Sequence, residues 1–226
     1  MIRVIIFDGD HTLYFPHTSK AYDRKFSFLE RKTGISRSEI RKVWEGIVDE
    51  VKGDPNPEKR TREYSTKKTL EKLHVDNPDL LAEKAVDVFW TSVKDNLQVR
   101  DDAEALLNDL REKYTLVIAS DEFEKRLVGK LNSFLQDWKK YFDFMVTPEK
   151  TKSMKPSERY YEIALKKLDV QPSEMVMIGD SWERDLEPAK KLGIKTVLIS
   201  EQKEGDPDYL IQDLKDLKSI LGDSDG

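Results

Sequence analysis

The chain contains no cysteine. Disulfides, thiolate metal sites and a cysteine nucleophile are excluded with it. Long apolar runs are also missing, and no stretch approaches the roughly 20 residues of a membrane span. The opening Met1-Ile2-Arg3-Val4-Ile5-Ile6-Phe7-Asp8 meets an acid too early for a secretory signal and reads as a strand. An excess of basic charge is lacking as well: the net charge is −5 and the pI about 5.5, which argues against a nucleic-acid partner. Asn and Gln are scarce while Lys and Glu are abundant, a bias shared with thermophile proteins. The expectation is a cytoplasmic protein that binds neither nucleic acid nor membrane, with monomer and homodimer both open.

Charge and apolar residues are what the sequence has in quantity, 37% and 38% of 226 residues. That suffices for a sizeable core under a charged surface, with room for one domain and a large insertion. Five short apolar runs, at 4–7, 115–119, 142–146, 175–178 and 196–199, are β-branched or aromatic-rich and read as buried parallel strands. Amphipathic helical patterns lie between the later runs. Segment 103–113 places Leu106, Leu107 and Leu110 on one face, and 122–135 places Phe123, Leu127, Leu131 and Phe134 at helical spacing. Segment 157–168 turns Tyr160, Tyr161, Leu165 and Leu168 one way, with Pro156 in a first-turn place and Gly193 capping the next helix. Strand and helix in alternation predict an α/β doubly wound parallel sheet.

The first strand breaks this rhythm. About a hundred residues follow it before the next clear strand, and 17–96 reads as helices only. One face carries Tyr22, Phe26 and Leu29; another Ile40, Trp44 and Ile47; a third Leu81, Ala85 and Phe89, with a breaker at Gly53-Asp54-Pro55-Asn56-Pro57. The expected division is a Rossmann-like core from 1–15 and 97–226, and a helical cap from 16–96. Residues 14–95 carry 17 Lys and Arg against 15 Asp and Glu, a balance expected of mostly solvated surface. The tail 222–226 is expected to fray.

Four features stand at strand ends. They are Asp8-Gly9-Asp10-His11-Thr12-Leu13, Ser120, Lys155-Pro156, and Gly179-Asp180-Ser181-Trp182-Glu183-Arg184-Asp185. In open α/β sheets, sites form beyond the carboxyl ends of strands. Several carboxylates gathered there need a cation, and a donor set of hard oxygens points to Mg²⁺. One carboxylate can then attack phosphorus, and a second, two residues on, can serve the leaving oxygen. Lys155 and Ser120 can hold the charged oxygens.

This pattern resembles the haloacid dehalogenase-like superfamily, over 4–10 and 100–200. The family's first motif, Asp-x-Asp followed after one residue by Thr, falls on Asp8, Asp10 and Thr12. Its later motifs fall on Ser120, on Lys155, and on Asp180 with Asp185. The resemblance implies that Asp8 is nucleophile and metal ligand. It makes Asp10 the acid/base and a backbone ligand, and Asp180 the remaining protein ligand. Asp185 and Thr12 support them, and the helical insertion looks like the cap class that closes over small substrates. The chain departs from the pattern at His11, where Gly is usual, and at Asp121, where Asn is common.

Each feature alone has a plainer reading. Asp-Gly is a common turn, Ser120 a helix N-cap, Lys155 a solvated lysine, and Gly179-Asp180 an ordinary strand-to-helix turn. The conjunction, in order and each at an element end, carries the expectation of a Mg²⁺-dependent phosphatase acting on a small phosphorylated molecule. A 2-haloacid dehalogenase, a phosphosugar mutase and a non-enzymatic binding member are the alternatives. Tyr14, Phe15, Arg24 and Lys25 follow the first motif closely enough to be candidates for facing the site.

Overall fold

A computed structural model describes residues 1–222, apart from the side chain of Ala164. The expected fraying from 223 onward lies outside the described residues. The chain divides into two compact units. One is Met1–Phe15 with everything from Gln98 on; the other is Pro16–Leu97.

The first unit is built on a six-stranded parallel sheet. Its strands are β1 (Val4–Asp8), β4 (Thr115–Ala119), β5 (Phe144–Val146), β6 (Met175–Gly179), β7 (Lys195–Ile199) and β8 (Tyr209–Ile211), in the order β5-β4-β1-β6-β7-β8. The expected doubly wound sheet is present. β8 and the short pair β2 (Tyr14–Pro16) and β3 (Leu97–Val99) were not legible as strands. β1, β4 and β6 are buried almost throughout, as central parallel strands are. Helices α5 (Ala103–Leu110), α6 (Glu124–Leu135), α7 (Pro148–Thr151), α8 (Glu158–Leu168), α9 (Glu187–Lys191) and α10 (Leu217–Gly222) complete the unit. Two details correct the sequence reading. α6 starts at Glu124 rather than 122, and Pro156 precedes the N-cap Ser157 instead of entering the first turn of α8. Gly193 does follow α9 with a φ of 84°, where a left-handed residue ends a helix.

The central position of β1 decides where chemistry can occur. Asp8 pairs in register with Ala119, and Phe7 with Ile178. Parallel strands end on one side, so Ser120 and Asp180 emerge beside Asp8.

The second unit holds α1 (Thr18–Thr33), α2 (Arg37–Val51), α3 (Arg62–Lys72) and α4 (Pro78–Asp95). Ser36 and Thr61 cap α2 and α3 through their hydroxyls. Phe26, Leu29, Ile40, Leu70, Ala82 and Ala85 form one part of its core; Val86, Phe89 and Trp90 form another. Among the described residues no helix is long and apolar enough to cross a membrane.

Candidate active site

Asp8 is the last residue of β1 and is buried. The chain then turns sharply through 9–13. Leu13 and Tyr14 both donate their N–H to the Gly9 carbonyl, at 2.9 and 3.4 Å. A Cβ on Gly9 would stand 2.5 Å from the Tyr14 hydroxyl, so glycine is required by close approach. His11 takes a φ of 62°, which explains why glycine suits this place. Its ring is exposed and meets Phe15 edge-on. Arg100 pins the turn from outside: its Nε donates to the Thr12 carbonyl at 3.0 Å and its Nη2 to the His11 carbonyl at 2.9 Å. The Thr12 hydroxyl is buried and finds no hydrogen-bond partner among the described protein groups.

Lys155 reaches into this cluster from the loop before α8. Its ammonium donates to Asp8 Oδ1 and, at 2.6 Å, to Asp185 Oδ1. Asp185 lies on a π-helical turn, Trp182–Leu186, of the kind found at functional sites. A Cβ on Gly179 would stand 2.7 Å from that of Asp185, so the two backbones can approach only with glycine there. Carboxylate oxygens of Asp8, Asp180 and Asp185 lie within 4.8 Å of one another.

Electrostatics follow from crowding and burial. Burial pushes the Asp8 carboxyl well above the usual carboxylate range; Lys155 opposes this, and the Asp185 charge adds to it. Burial and Asp185 raise Asp180 also. Burial works against the Lys155 charge, but Asp185 and Asp8 outweigh it and hold the ammonium well above an ordinary lysine. One lysine among three acids leaves negative charge uncompensated. The donors are all carboxylate oxygens, so a hard divalent cation fits them.

Ser120 is buried at the end of β4. It is not a helix N-cap: its Oγ accepts from the Glu122 N–H at 3.1 Å, two residues on, and Phe123 precedes α6. Asp121 turns away from the anionic centre. One oxygen accepts from the Lys155 backbone N–H at 2.8 Å and the other from Arg184 Nη2 at 2.7 Å. Trp182 packs against the core, where Gly205 gives room for its ring.

Other participants escaped the sequence reading. Tyr160 Oη lies 2.7 and 2.6 Å from the carbonyls of Ser120 and Val146, which share its single proton. Tyr161 Oη donates to the carbonyl of Asp185 at 2.9 Å. These residues were legible as core but not as props for three site loops. Lys130 Nζ donates to both oxygens of Asp10, at 2.7 and 2.9 Å. Its signal was present: it falls on the apolar stripe of Leu127, Leu131 and Phe134.

Of the four residues suggested to face the site, Tyr14 and Phe15 belong to the first unit, and Tyr14 is buried beside Gly9. Arg24 is exposed and pairs with Asp95 at 3.6 Å. Lys25 turns into the aromatic core of the second unit.

A doubly wound parallel sheet with carboxylates and a lysine gathered beyond its central strand defines the class: an α/β enzyme core with an acidic candidate site. A family model for haloacid dehalogenase-like hydrolases matches residues 2–193, and the chain belongs to that family. The chain is 29% identical over 217 residues to a ribulose-1,5-bisphosphate 5-phosphatase of Halopiger xanaduensis, covering 91% of this chain and 88% of that one. A haloacid dehalogenase-like phosphatase of Thermococcus onnurineus superposes with a TM-score of 0.70 at 27% identity over 98% of both chains. A 2-haloacid dehalogenase of Pseudomonas syringae superposes at 0.77 with 20% identity, over 99% of this chain and 100% of that one, a likeness of fold alone.

Proposed function

We propose that this hydrolase is a phosphatase that removes a phosphoryl group from a small metabolite, with Asp8 as nucleophile. The observation that carries the reading is the Lys155 ammonium bridging Asp8 and Asp185, with Asp180 alongside, beyond the central strand. Asp8 attacks phosphorus and forms an aspartyl phosphate. The Asp10 carboxyl gives its proton to the leaving oxygen, then takes one from the water that cleaves the intermediate. Ser120 and Lys155 hold phosphoryl oxygens, and Asp121 fixes the backbone of Lys155. Asp8, the Asp10 carbonyl and Asp180 would hold a Mg²⁺ ion, which would supply the positive charge that lets carboxylates and a phosphate share one site. Thr12 supports the turn and Asp185 orients Lys155.

Asp10 favours this reading over a dehalogenase. Displacement of halide from carbon needs no proton donor two residues after the nucleophile, whereas an alkoxide leaving from phosphorus does. The curated relative's activity favours a sugar phosphate or a similar acid as substrate. We assign leaving-group selection to the helical unit, 16–96, and catalysis to the remainder.

The test is hydrolysis of p-nitrophenyl phosphate with Mg²⁺, with EDTA, and by Asp8→Asn. Turnover that needs Mg²⁺ and falls at least about 10⁴-fold in the variant is expected. Turnover unaffected by Asp8→Asn would overturn the assignment.

A further inference from the structure

We propose that Lys130 is a positioning residue that fixes the carboxyl of Asp10 for proton transfer and ties it to the phosphate-holding loop. The proposal rests on the phosphatase reading above.

The side chain of Lys130 is 2% exposed, whereas that of Asp10 is 35% exposed. Burying an ammonium is unfavourable unless charge and hydrogen bonds compensate it. The compensation here is specific. Nζ lies 2.7 and 2.9 Å from the two oxygens of Asp10 and 3.4 Å from Glu122 Oε1. Contact with both oxygens holds the carboxyl in place and restricts its rotation. The stem of Lys130 belongs to α6, which is seated in the core by Leu127, Leu131 and Leu135. Asp10 sits instead in a turn with no regular structure beyond one bridge to Tyr14. The helix thus supplies rigidity that the turn lacks.

Tyr14 closes another side. Lys130 Nζ is 5.6 Å from the centre of its ring, which packs edge-on against Phe134 of the same helix. Glu122 completes the link: its N–H donates to Ser120 Oγ at 3.1 Å while its carboxylate receives Lys130. One ammonium therefore connects the group that serves the leaving oxygen with the loop that holds the phosphoryl oxygens. A proton donor works only within hydrogen-bond reach of the atom it serves, and displacement by about 1 Å can cost on the order of 100-fold.

The experiment compares kcat/KM for p-nitrophenyl phosphate and phenyl phosphate, with Mg²⁺, in the intact protein, Lys130→Met and Lys130→Gln. kcat/KM reports the steps up to phosphoryl transfer to Asp8. Nitrophenolate leaves almost unaided, whereas phenolate needs its proton. Lys130→Met is expected to lose about 100-fold on phenyl phosphate and about tenfold or less on the nitro ester. Lys130→Gln keeps one donor and falls between; it also serves if the Met variant melts early. Equal losses on both esters, or none, would overturn the proposal, since a purely structural residue does not sense the leaving group. Failure of the underlying reading looks different: the intact protein is then inactive on both esters, or Asp8→Asn retains its activity.

Discussion

Lys25 and Lys130 hold equivalent places on two helices. Each lies on an apolar stripe, between Tyr22 and Phe26 in one case and beside Leu127 and Leu131 in the other. Lys130 meets Asp10 and Glu122. Lys25 meets rings: Nζ is 4.1 Å from the centre of Trp44, 4.5 Å from Phe26 and 5.3 Å from Tyr22, with the Thr66 hydroxyl at 3.5 Å. Cation–π contacts are worth about 2 kcal/mol when desolvated, less than the several kcal/mol that burying an ammonium costs. Burial, with help from Arg62 and Arg41, pulls the Lys25 ammonium well below the ordinary lysine range. The consequence for stability has a definite sign. Between the folded value and the usual value near 10.5, the unfolded chain binds one proton more, so stability rises with pH across that window. Lys25→Met is expected to stabilise the protein at neutral pH by about 1–3 kcal/mol. The gain should shrink as pH approaches the unfolded lysine value, as read by urea unfolding at pH 7 and 10. A variant less stable at both would show that the charge is compensated after all.

At the scale of elements, the turn at 9–13 carries the most constraint. The proposed mechanism asks it to present Asp8 and Asp10 to one centre, and three contacts hold it: the Gly9 carbonyl inside, Arg100 outside, and Tyr14 beneath. Tyr14 is fully buried and cannot swing aside. Gly9→Ala is therefore expected to shift the turn, costing about 1–3 kcal/mol of stability and on the order of 100-fold in kcat. Removing the hydroxyl takes away the closest contact and leaves the ring carbon at 3.1 Å, so Gly9→Ala with Tyr14→Phe should recover part of both losses. A Gly9→Ala variant with unchanged kinetics and melting would refute the account of the turn. Arg100 shows what motif reading misses: its two-point side-chain hold joins carbonyls 88 and 89 residues away, a contact that only tertiary structure creates.

At the scale of the molecule, the sheet was legible because its central strands are continuous apolar runs, and buried parallel strands have to be. β8 was not, since Tyr209 and Leu210 are exposed and the strand lies at an edge, where side chains say little. The candidate site residues stood out because Asp8, Ser120 and Asp180 stand at or just beyond strand ends and Lys155 precedes a helix. Their supports stayed hidden for the opposite reason: Tyr160, Tyr161 and Lys130 lie on helices whose periodicity explains them as packing. Topology then does the assembling, since placing β1 between β4 and β6 brings Asp8, Ser120 and Asp180 to one edge.

The central claim is that Asp8 itself becomes phosphorylated. An aspartyl phosphate can be trapped by borohydride, which reduces the acyl carbon to the alcohol and leaves homoserine at that position. Acid-quenched enzyme under turnover, reduced and mapped by mass spectrometry, should carry homoserine at position 8, and Asp8→Asn should carry none. Homoserine at another aspartate, or none during Mg²⁺-dependent turnover with fast quenching, would contradict the mechanism.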